Sequence, residues 1–343
     1  MKIATLGLIL WLGSIPAISL ATPSCDTLGP CVIENGIAVL GDDDAARVLL
    51  SIAQESAMQF QRYMGVPVPP VAIVPGGSIS PTLNTKLADA GFQTTLPWIS
   101  NADKQKLRAS SIEKQVRAQT AGLPEAQRQA ILAQALGQAS SSNETSGAEM
   151  TAQERGAFAH ELGHLWFKSA FSSINEQPRP AGHGYGGWAP DWLDEIVAIL
   201  MENDELRSGR RNKFANARKE TLYPLPDFLS MDHPALASAT ELAKSFGKSN
   251  GTSSRAIVLT GDEAEAFLAT SKTGDPTMFY TQAQGFIDYL SARTGDSTIF
   301  ADIARHLGAG GDFKGWLAKH KDMPDSVDAL TQDWERWLDA RVN

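Results

Sequence analysis

Residues 151–168 read TAQERGAFAHELGHLWFK, and the prediction of the fold starts from this segment. Thr151 and Glu154 have the T-x-x-E spacing of a capping box, which predicts that a helix begins here and runs through the segment. Four helical residues turn the chain by about 400°, so His160 and His164 lie about 40° apart on one face. Both imidazole rings can therefore reach a single metal ion.

The five residues 160–164, HELGH, have the H-E-x-x-H form in which two histidines bind zinc and the glutamate acts as a general base. Glu161 is therefore the predicted base. Gly163 weakens a helix by ~1 kcal/mol relative to alanine, which indicates that another element packs closely against it. The alternative interpretation is a pair of surface histidines on an ordinary helix.

A catalytic zinc site needs three protein ligands and one open coordination position. The extended metzincin pattern requires Gly and His where this chain has Phe167 and Ala170, so that class is excluded. His183, in the glycine-rich loop AGHGYGGWAP, is one candidate for the third ligand.

Residues 191–200, DWLDEIVAIL, supply the preferred third ligand, Glu195. In the helix predicted here, with Asp191 as its cap, Glu195 shares a face with apolar residues. These are Trp192, Ile196 and Ile199. A carboxylate in such surroundings is costly unless a cation pairs with it, and a zinc ion supplies that charge. Asp194 is expected to orient a ligand or to stand at the helix start.

The blocks HELGHLWF and WLDEIVA resemble the HELxHxWF and WLNEGxA blocks of gluzincin metallopeptidases, the aminopeptidase N and leukotriene hydrolase kind. They resemble the smaller bacterial peptidase MA-like domains still more closely. The resemblance implies a zincin fold with Glu195 as the third zinc ligand. The separation from His164 to Glu195 (195 − 164 = 31 positions) is longer than in aminopeptidase N, and Asp194 replaces the usual Asn.

A third block, YTQAQGFIDYL from Tyr280, resembles a downstream helix whose leading tyrosine stabilises the tetrahedral oxyanion in that family. A phenol does this by donating a hydrogen bond to the developing negative charge. Tyr280 is also interpretable as a core tyrosine. His233 is an alternative donor, as in thermolysin-like sites, and Tyr185 and Tyr223 are further candidates.

Local patterns outside these blocks predict the remaining elements. Strands are expected at 36–40 and 71–74, and a helix between them ends at Gly65. Residues 103–138 are predicted to form a peripheral helical hairpin, broken at Gly122 and Pro124. Asp275 and Pro276 are expected to open a late helix.

The fold class is therefore predicted to be α+β, a thermolysin-like zincin catalytic domain. A small N-terminal mixed sheet layer precedes the zinc-site helices and a mainly helical C-terminal part. The expected parts are a signal peptide at 1–21, an N-terminal α/β part with the hairpin at 22–147, and a catalytic part at 148–343. Residues 22–343 are also compatible with one compact domain.

The N-terminus predicts export to the periplasm or secretion. Within residues 1–21, a lysine, a short apolar run and a small-residue segment follow one another, as in a signal peptide. Two cysteines, Cys25 and Cys31, follow closely and predict one small disulfide loop.

The formal net charge of −9 argues against nucleic-acid binding. The basic segment 207–219 is interpreted as a solvated helix face. No segment after the N-terminal one predicts stable membrane insertion. The expected partner, which the resemblance to metallopeptidases implies, is a peptide or protein substrate.

The expected function is that of an exported metallopeptidase holding one Zn²⁺ with His160, His164 and Glu195. It hydrolyses peptide bonds with a zinc-activated water, with Glu161 as general base and Tyr280 stabilising the oxyanion. An endopeptidase is preferred, since the amine-binding G-x-M-E-N segment of aminopeptidases is not recognised. The alternatives are a non-catalytic zinc-binding or scaffold domain and a zinc hydrolase of a non-peptide bond.

Overall fold

The structure is a computed structural model. It describes residues 22–76, 78–92, 94–140, 150–171, 188–235 and 275–341. The predicted signal peptide and the loop carrying His183 and Tyr185 lie outside the described residues.

A four-stranded mixed sheet forms the N-terminal layer, in the spatial order β1–β2–β3–β4. The strands are β1 (Cys31–Glu34), β2 (Ile37–Leu40), β3 (Val71–Pro75) and β4 (Thr94–Trp98). The first two pair antiparallel across a tight turn at Asn35 and Gly36, which both have positive φ. The other neighbours pair in parallel. The two predicted strands correspond to β2 and β3, and β1 and β4 are additional.

Helix α1 (Asp44–Met64) connects β2 to β3. The Asp43 carboxylate caps its start by accepting a hydrogen bond from Ala46 N at 2.9 Å. Gly65 ends it in the left-handed conformation, which confirms the predicted helix end. Phe60 meets Trp166 edge-on at a ring distance of 5.9 Å, so α1 also supports the helix that carries the histidines.

Successive side chains of a strand point to opposite faces of the sheet, and each face packs against its own hydrophobic cluster. Val71 and Ile73 belong to the main core with α1, whereas Ala72 and Val74 point to a smaller one with α2 (Pro81–Asp89). The disulfide loop packs against the smaller cluster, where Cys25 is bonded to Cys31 as the spacing predicts.

The central pair of the molecule is α5 (Ala152–Phe171) against α6 (Asp191–Met201), which follow α3 (Asn101–Gln119) and α4 (Glu125–Ser140) in the chain. A side chain at Gly163 would place its Cβ 2.7 Å from the Cα of Ala198. The expected close approach at Gly163 is confirmed, since only a residue without a side chain lets α5 lie this near to α6.

The capping box at the start of α5 forms only in half. Thr151 Oγ1 accepts a hydrogen bond from Glu154 N at 3.1 Å, as predicted. The Glu154 carboxylate, however, accepts a hydrogen bond from Asn101 N at 2.7 Å. The Glu154 side chain therefore ties the start of α3 to the start of α5, and the reciprocal arm of the box was wrongly predicted.

Helices α3 and α4 form the predicted peripheral hairpin, with its break at residues 120–124. They pack on each other, and most of their side chains are exposed. Val116 is a buried apolar residue on α3, and several large apolar side chains of the pair remain exposed, including Leu107 and Ile131.

The C-terminal part of the described chain is helical. It contains α7 (Asp204–Asn216), α8 (Leu225–Ser230), α9 (Pro276–Thr294), α10 (Ile299–Gly308), α11 (Phe313–Leu317) and α12 (Val327–Asp339), with a 3-10 turn at Lys219–Thr221. Asp275 caps α9 through Thr277 N at 2.8 Å, as predicted. One core cluster runs from the sheet layer through α5 and α6 to this part: Trp98 of β4 meets Phe158 of α5 at 5.0 Å, and Trp192 of α6 meets Phe286 of α9 at 5.7 Å.

The basic segment 207–219 is not simply a solvated face. Three of its six cations pair with carboxylates elsewhere in the chain. The pairs are Arg210 with Glu202, Arg211 with Asp288 and Lys219 with Asp339. Among the described helices, none combines the length and the apolar character needed to span a bilayer.

Candidate metal centre

Helices α5 and α6 bring the imidazoles of His160 and His164 together with the carboxylate of Glu195. The two Nε2 atoms lie 3.2 Å apart. Glu195 Oε1 is 3.3 Å from His160 Nε2, and Glu195 Oε2 is 3.7 Å from His164 Nε2. All three side chains are buried, so the interpretation as surface histidines is wrong. Within the described ranges, this trio is the one group with the spacing to hold a metal ion.

Two buried carboxylates set the tautomers of the histidines. His160 Nδ1 lies 2.9 Å from Glu202 Oε1, and His164 Nδ1 lies 2.9 Å from Asp194 Oδ1. Because an ionised carboxylate only accepts hydrogen bonds, each Nδ1 carries the donated proton. The Nε2 lone pairs therefore face each other, which is the form of imidazole that coordinates a metal.

Glu195 is completely buried, and neither carboxylate oxygen has a hydrogen-bond partner among the described residues. Burial raises the pKa of Glu195, although His160, His164 and Arg210 oppose that effect. A buried charge of this kind is costly unless a cation compensates it.

The neighbouring carboxylates also shift the pKa of His164. Burial disfavours its charged form, yet the carboxylate of Asp194, helped by those of Glu195 and Glu161, raises the pKa of His164 to about 9. The cluster thus attracts positive charge, as a proton or as a metal ion.

The geometry fits a divalent ion. Zinc ligands lie about 2.0–2.2 Å from the metal, which places the ligand atoms of a tetrahedral site about 3.3 Å apart. The separations of 3.2 and 3.3 Å around His160 Nε2 match that value. Two neutral imidazoles and one carboxylate are a donor set that suits zinc.

Glu161 and Tyr280 lie beside the cluster. Glu161 follows His160 on α5, its side chain is exposed, and its charge acts on His164. The ring of Tyr280, near the start of α9, lies 6.1 Å from the His160 ring and 5.1 Å from the His233 ring. Tyr223 instead bonds through its hydroxyl to the backbone of Asp275, so it serves the start of α9.

His233 also faces the cluster, with its Nε2 atom 3.6 Å from Glu195 Oε2. Its Nδ1 accepts a hydrogen bond from Ala235 N at 3.1 Å, so the neutral ring carries its proton on Nε2. Burial, together with His164 and His160, lowers the pKa of His233 to about 3. His233 therefore presents a neutral N–H donor to the cluster, unlike the two histidines of α5.

The predicted cap of α6 was wrong. Pro190 occupies the cap position, and Asp191 is the first helical residue. The Asp191 carboxylate accepts a hydrogen bond from His233 N at 2.7 Å. This side chain thus holds the backbone of His233 at the candidate metal site.

Two residues near the cluster were not predicted, Glu202 and Arg210. Glu202 follows Glu195 by two helical turns, so the i, i+7 spacing of two carboxylates on an apolar helix was the available signal. Arg210 lies in the basic segment, where nothing in its pattern separates it from its neighbours.

Comparisons of the chain with protein families, with curated proteins and with solved structures found no match.

Proposed function

We propose that this chain is an exported zinc metallopeptidase in which His160, His164 and Glu195 hold one zinc ion. The observation that carries the proposal is the convergence of two histidine Nε2 atoms on a buried carboxylate that has no hydrogen-bond partner among the described residues. Such a group is unstable without positive charge at its centre. When bound, zinc supplies a Lewis acid that polarises a carbonyl and lowers the pKa of a water molecule.

The proposed general base is Glu161. Its carboxylate is exposed on the helix that carries both histidines, where solvent and a substrate can reach it. In this role it takes a proton from the attacking water and delivers it to the leaving amine. Tyr280 and His233 are the two candidates for stabilising the oxyanion, and the neutral Nε2–H of His233 supports that candidate.

The choice of a peptide bond rests on the resemblance of HELGHLWF and WLDEIVA to gluzincin blocks. The proposed zincin fold rests on that resemblance and on the position of the sheet beside the metal-site helix. Export is proposed from the N-terminal pattern, and the bond between Cys25 and Cys31 is compatible with an oxidising compartment.

A non-catalytic metal site is the second candidate. It is favoured by the burial of the side chains of all three proposed ligands. A structural zinc site is closed by four protein groups, whereas a catalytic site keeps one position open.

The test is hydrolysis by the purified protein, loaded with zinc and incubated with casein and with a peptide library. Mass spectrometry of the products distinguishes internal cleavage from removal of terminal residues. We expect cleavage that a chelator stops and added zinc restores. Bound zinc without any cleavage would favour the non-catalytic site or a non-peptide substrate.

Replacing Glu161 with Gln is expected to lower kcat by about 10²–10⁴-fold, because the base is lost, while zinc remains bound. Zinc content by atomic spectroscopy and kcat are measured on the same preparation. The matched control is Glu205→Gln, an exposed helical glutamate on α7, which should retain full activity. Full activity in Glu161→Gln would remove Glu161 from the mechanism.

A further inference from the structure

Glu202 and Arg210 form a buried ion pair next to the metal cluster. Glu202 is 1% exposed at the end of α6, and Arg210 reaches it from α7. The guanidinium binds both carboxylate oxygens, with Arg210 Nε donating to Glu202 Oε2 at 2.7 Å and a terminal nitrogen donating to Oε1. This two-point contact fixes the carboxylate in position and orientation.

The same carboxylate holds a proposed metal ligand. Glu202 Oε1 also accepts the hydrogen bond from His160 Nδ1. The carboxylate thereby keeps the proton of His160 on Nδ1 and the lone pair on Nε2.

The guanidinium of Arg210 has a second contact, with Tyr280. Its central carbon lies 4.7 Å from the centre of the Tyr280 ring, which is a cation–π geometry. The Tyr280 ring in turn lies beside the His160 ring. Arg210 therefore contacts both the Glu202 carboxylate, which is hydrogen-bonded to His160, and the Tyr280 ring, which lies beside the His160 ring.

A second ion pair of α7 has no contact of this kind with the candidate metal site. Arg211, the next residue, pairs with Asp288 on α9 at 3.2 Å, and both side chains are partly exposed. That pair joins two helices at the surface without touching a proposed metal ligand. If the Arg210 pair served only to join helices, its loss would have the same kind of effect as the loss of the Arg211 pair.

We propose that Glu202 and Arg210 are a positioning pair for the metal ligand His160, and that Tyr280 supports the pair by stacking on Arg210. The proposal rests on the proposed metal site, but it requires no hydrolytic activity. Partners of this kind, which hydrogen-bond to a metal-binding histidine, contribute about 10–100-fold to metal affinity.

The experiment measures the zinc dissociation constant by chelator competition on the full purified protein. Glu202→Gln and Arg210→Met are each expected to weaken zinc binding by about tenfold or more. The matched control Arg211→Met should bind zinc within about twofold of the unchanged protein. Arg210→Lys keeps the charge without the two-point contact and should restore part of the affinity. Urea unfolding without metal identifies any variant that fails to fold.

A spectroscopic readout separates positioning from general destabilisation. In the cobalt-loaded protein, the visible absorption of Co²⁺ reports the geometry of its ligands. Glu202→Gln and Arg210→Met should change that spectrum, whereas Arg211→Met should leave it unchanged. The double variant Glu202→Gln/Arg210→Met should lose about as much affinity as one single variant, because the two residues act as one unit.

The role of Tyr280 is tested with two substitutions. Tyr280→Phe keeps the aromatic ring and should bind zinc as tightly as the unchanged protein. Tyr280→Leu removes the ring and should weaken zinc binding by about two- to fivefold. Equal affinities in these two variants would remove Tyr280 from the proposal.

The outcomes for the pair and for the proposed function are distinguishable. If the unchanged protein binds zinc and the Glu202 and Arg210 variants bind it equally well, the positioning pair is overturned while the metal site stands. If these variants lose affinity but no substrate is cleaved, the pair stands and the peptidase proposal fails. If the unchanged protein binds no zinc, both fail.

Discussion

At the scale of single residues, Glu195 has opposite effects on folding and on metal binding. Its carboxylate is completely buried and has no hydrogen bond within the described part of the chain, and such a group disfavours the folded state because it loses its hydration and gains little in return. The same carboxylate completes a group of three donors around one point. The metal site that we propose accounts for a carboxylate in this position.

Replacing Glu195 with Gln should therefore separate these two effects. Without metal, we expect a free energy of unfolding equal to or above that of the unchanged protein, because the buried charge is gone. Zinc at 100 times its dissociation constant should stabilise the unchanged protein by about 2.7 kcal/mol and the variant by far less. Urea unfolding with and without zinc measures both quantities. Equal stabilisation by zinc in the two proteins would contradict the role of Glu195 as a ligand.

At the scale of helices and strands, the approach of α5 to α6 sets the geometry of the metal cluster. Gly163 permits that approach, and a Cβ there would lie 2.7 Å from the Ala198 Cα. Backbone atoms cannot move aside as the end of a flexible side chain can. The two helices would separate, and with them the histidines of α5 from Glu195 of α6.

Gly163→Ala should thus destabilise the protein although alanine favours helix. Overpacking costs about 1–3 kcal/mol, and the helix propensity of alanine returns ~1 kcal/mol, so a net loss of up to about 2 kcal/mol is expected. Zinc affinity should also fall. The control is Gly209→Ala on α7, where a Cβ meets nothing within 4 Å and stability should stay or rise. A stabilised Gly163→Ala variant would contradict this packing argument.

The helices could be predicted from the sequence because their signals are local. Gly65 and Asp275 mark helix ends through contacts within a few residues, and the structure confirms both predictions. Strand β4 was not predicted, because it contains Pro97 and its side chains are mostly half-buried, so no alternation is visible. Its pairing with β3 depends on residues 23 positions away, as in Val71 with Thr94.

In the candidate site, too, the residues that could be predicted are those with a local signal in the sequence. His160 and His164 are one helical turn apart, and that spacing brings them together in any helix. The position of Glu195 depended on the burial of its helix face, which an apolar pattern indicates. Arg210 and the bond of Asp191 to His233 depend on how separate helices pack. No local pattern contains that information.

At the scale of the whole molecule, α12 is fastened to α9 by a cluster around Asp333. This carboxylate accepts hydrogen bonds from the Tyr289 hydroxyl at 2.8 Å, from Arg293 at 3.0 Å and from Arg336 at 2.9 Å. Burial raises the pKa of Asp333, but these bonds outweigh it and lower the pKa overall. The C-terminal helix is therefore held in a manner that depends on pH.

Asp333→Asn should destabilise the protein by about 1 kcal/mol at neutral pH. Because the pKa of Asp333 is lowered in the folded state, its contribution to folding stability is complete above its pKa in the unfolded chain, about 4. It is lost as the pH falls through the folded value. The stability difference between the two proteins should thus shrink below about pH 4, as measured by urea unfolding from pH 7 to 3. Asp322→Asn, at an exposed position, is the control, and a difference that grows in acid would contradict the assignment.

Stability should also be uneven across the molecule, with the α3–α4 hairpin at its lower end. The hairpin exposes most of its side chains, whereas α5 and α6 are buried on most sides. Backbone amides of α3 and α4 should therefore exchange hydrogen through local opening, at a lower free energy than those of α5 and α6. Zinc stabilises only those openings that disrupt its ligands, so it should slow exchange in α5 and α6 and leave the hairpin unchanged. Hydrogen exchange followed by mass spectrometry, with and without zinc, measures both effects. Equal slowing of the hairpin would mean that it opens only when the metal cluster opens.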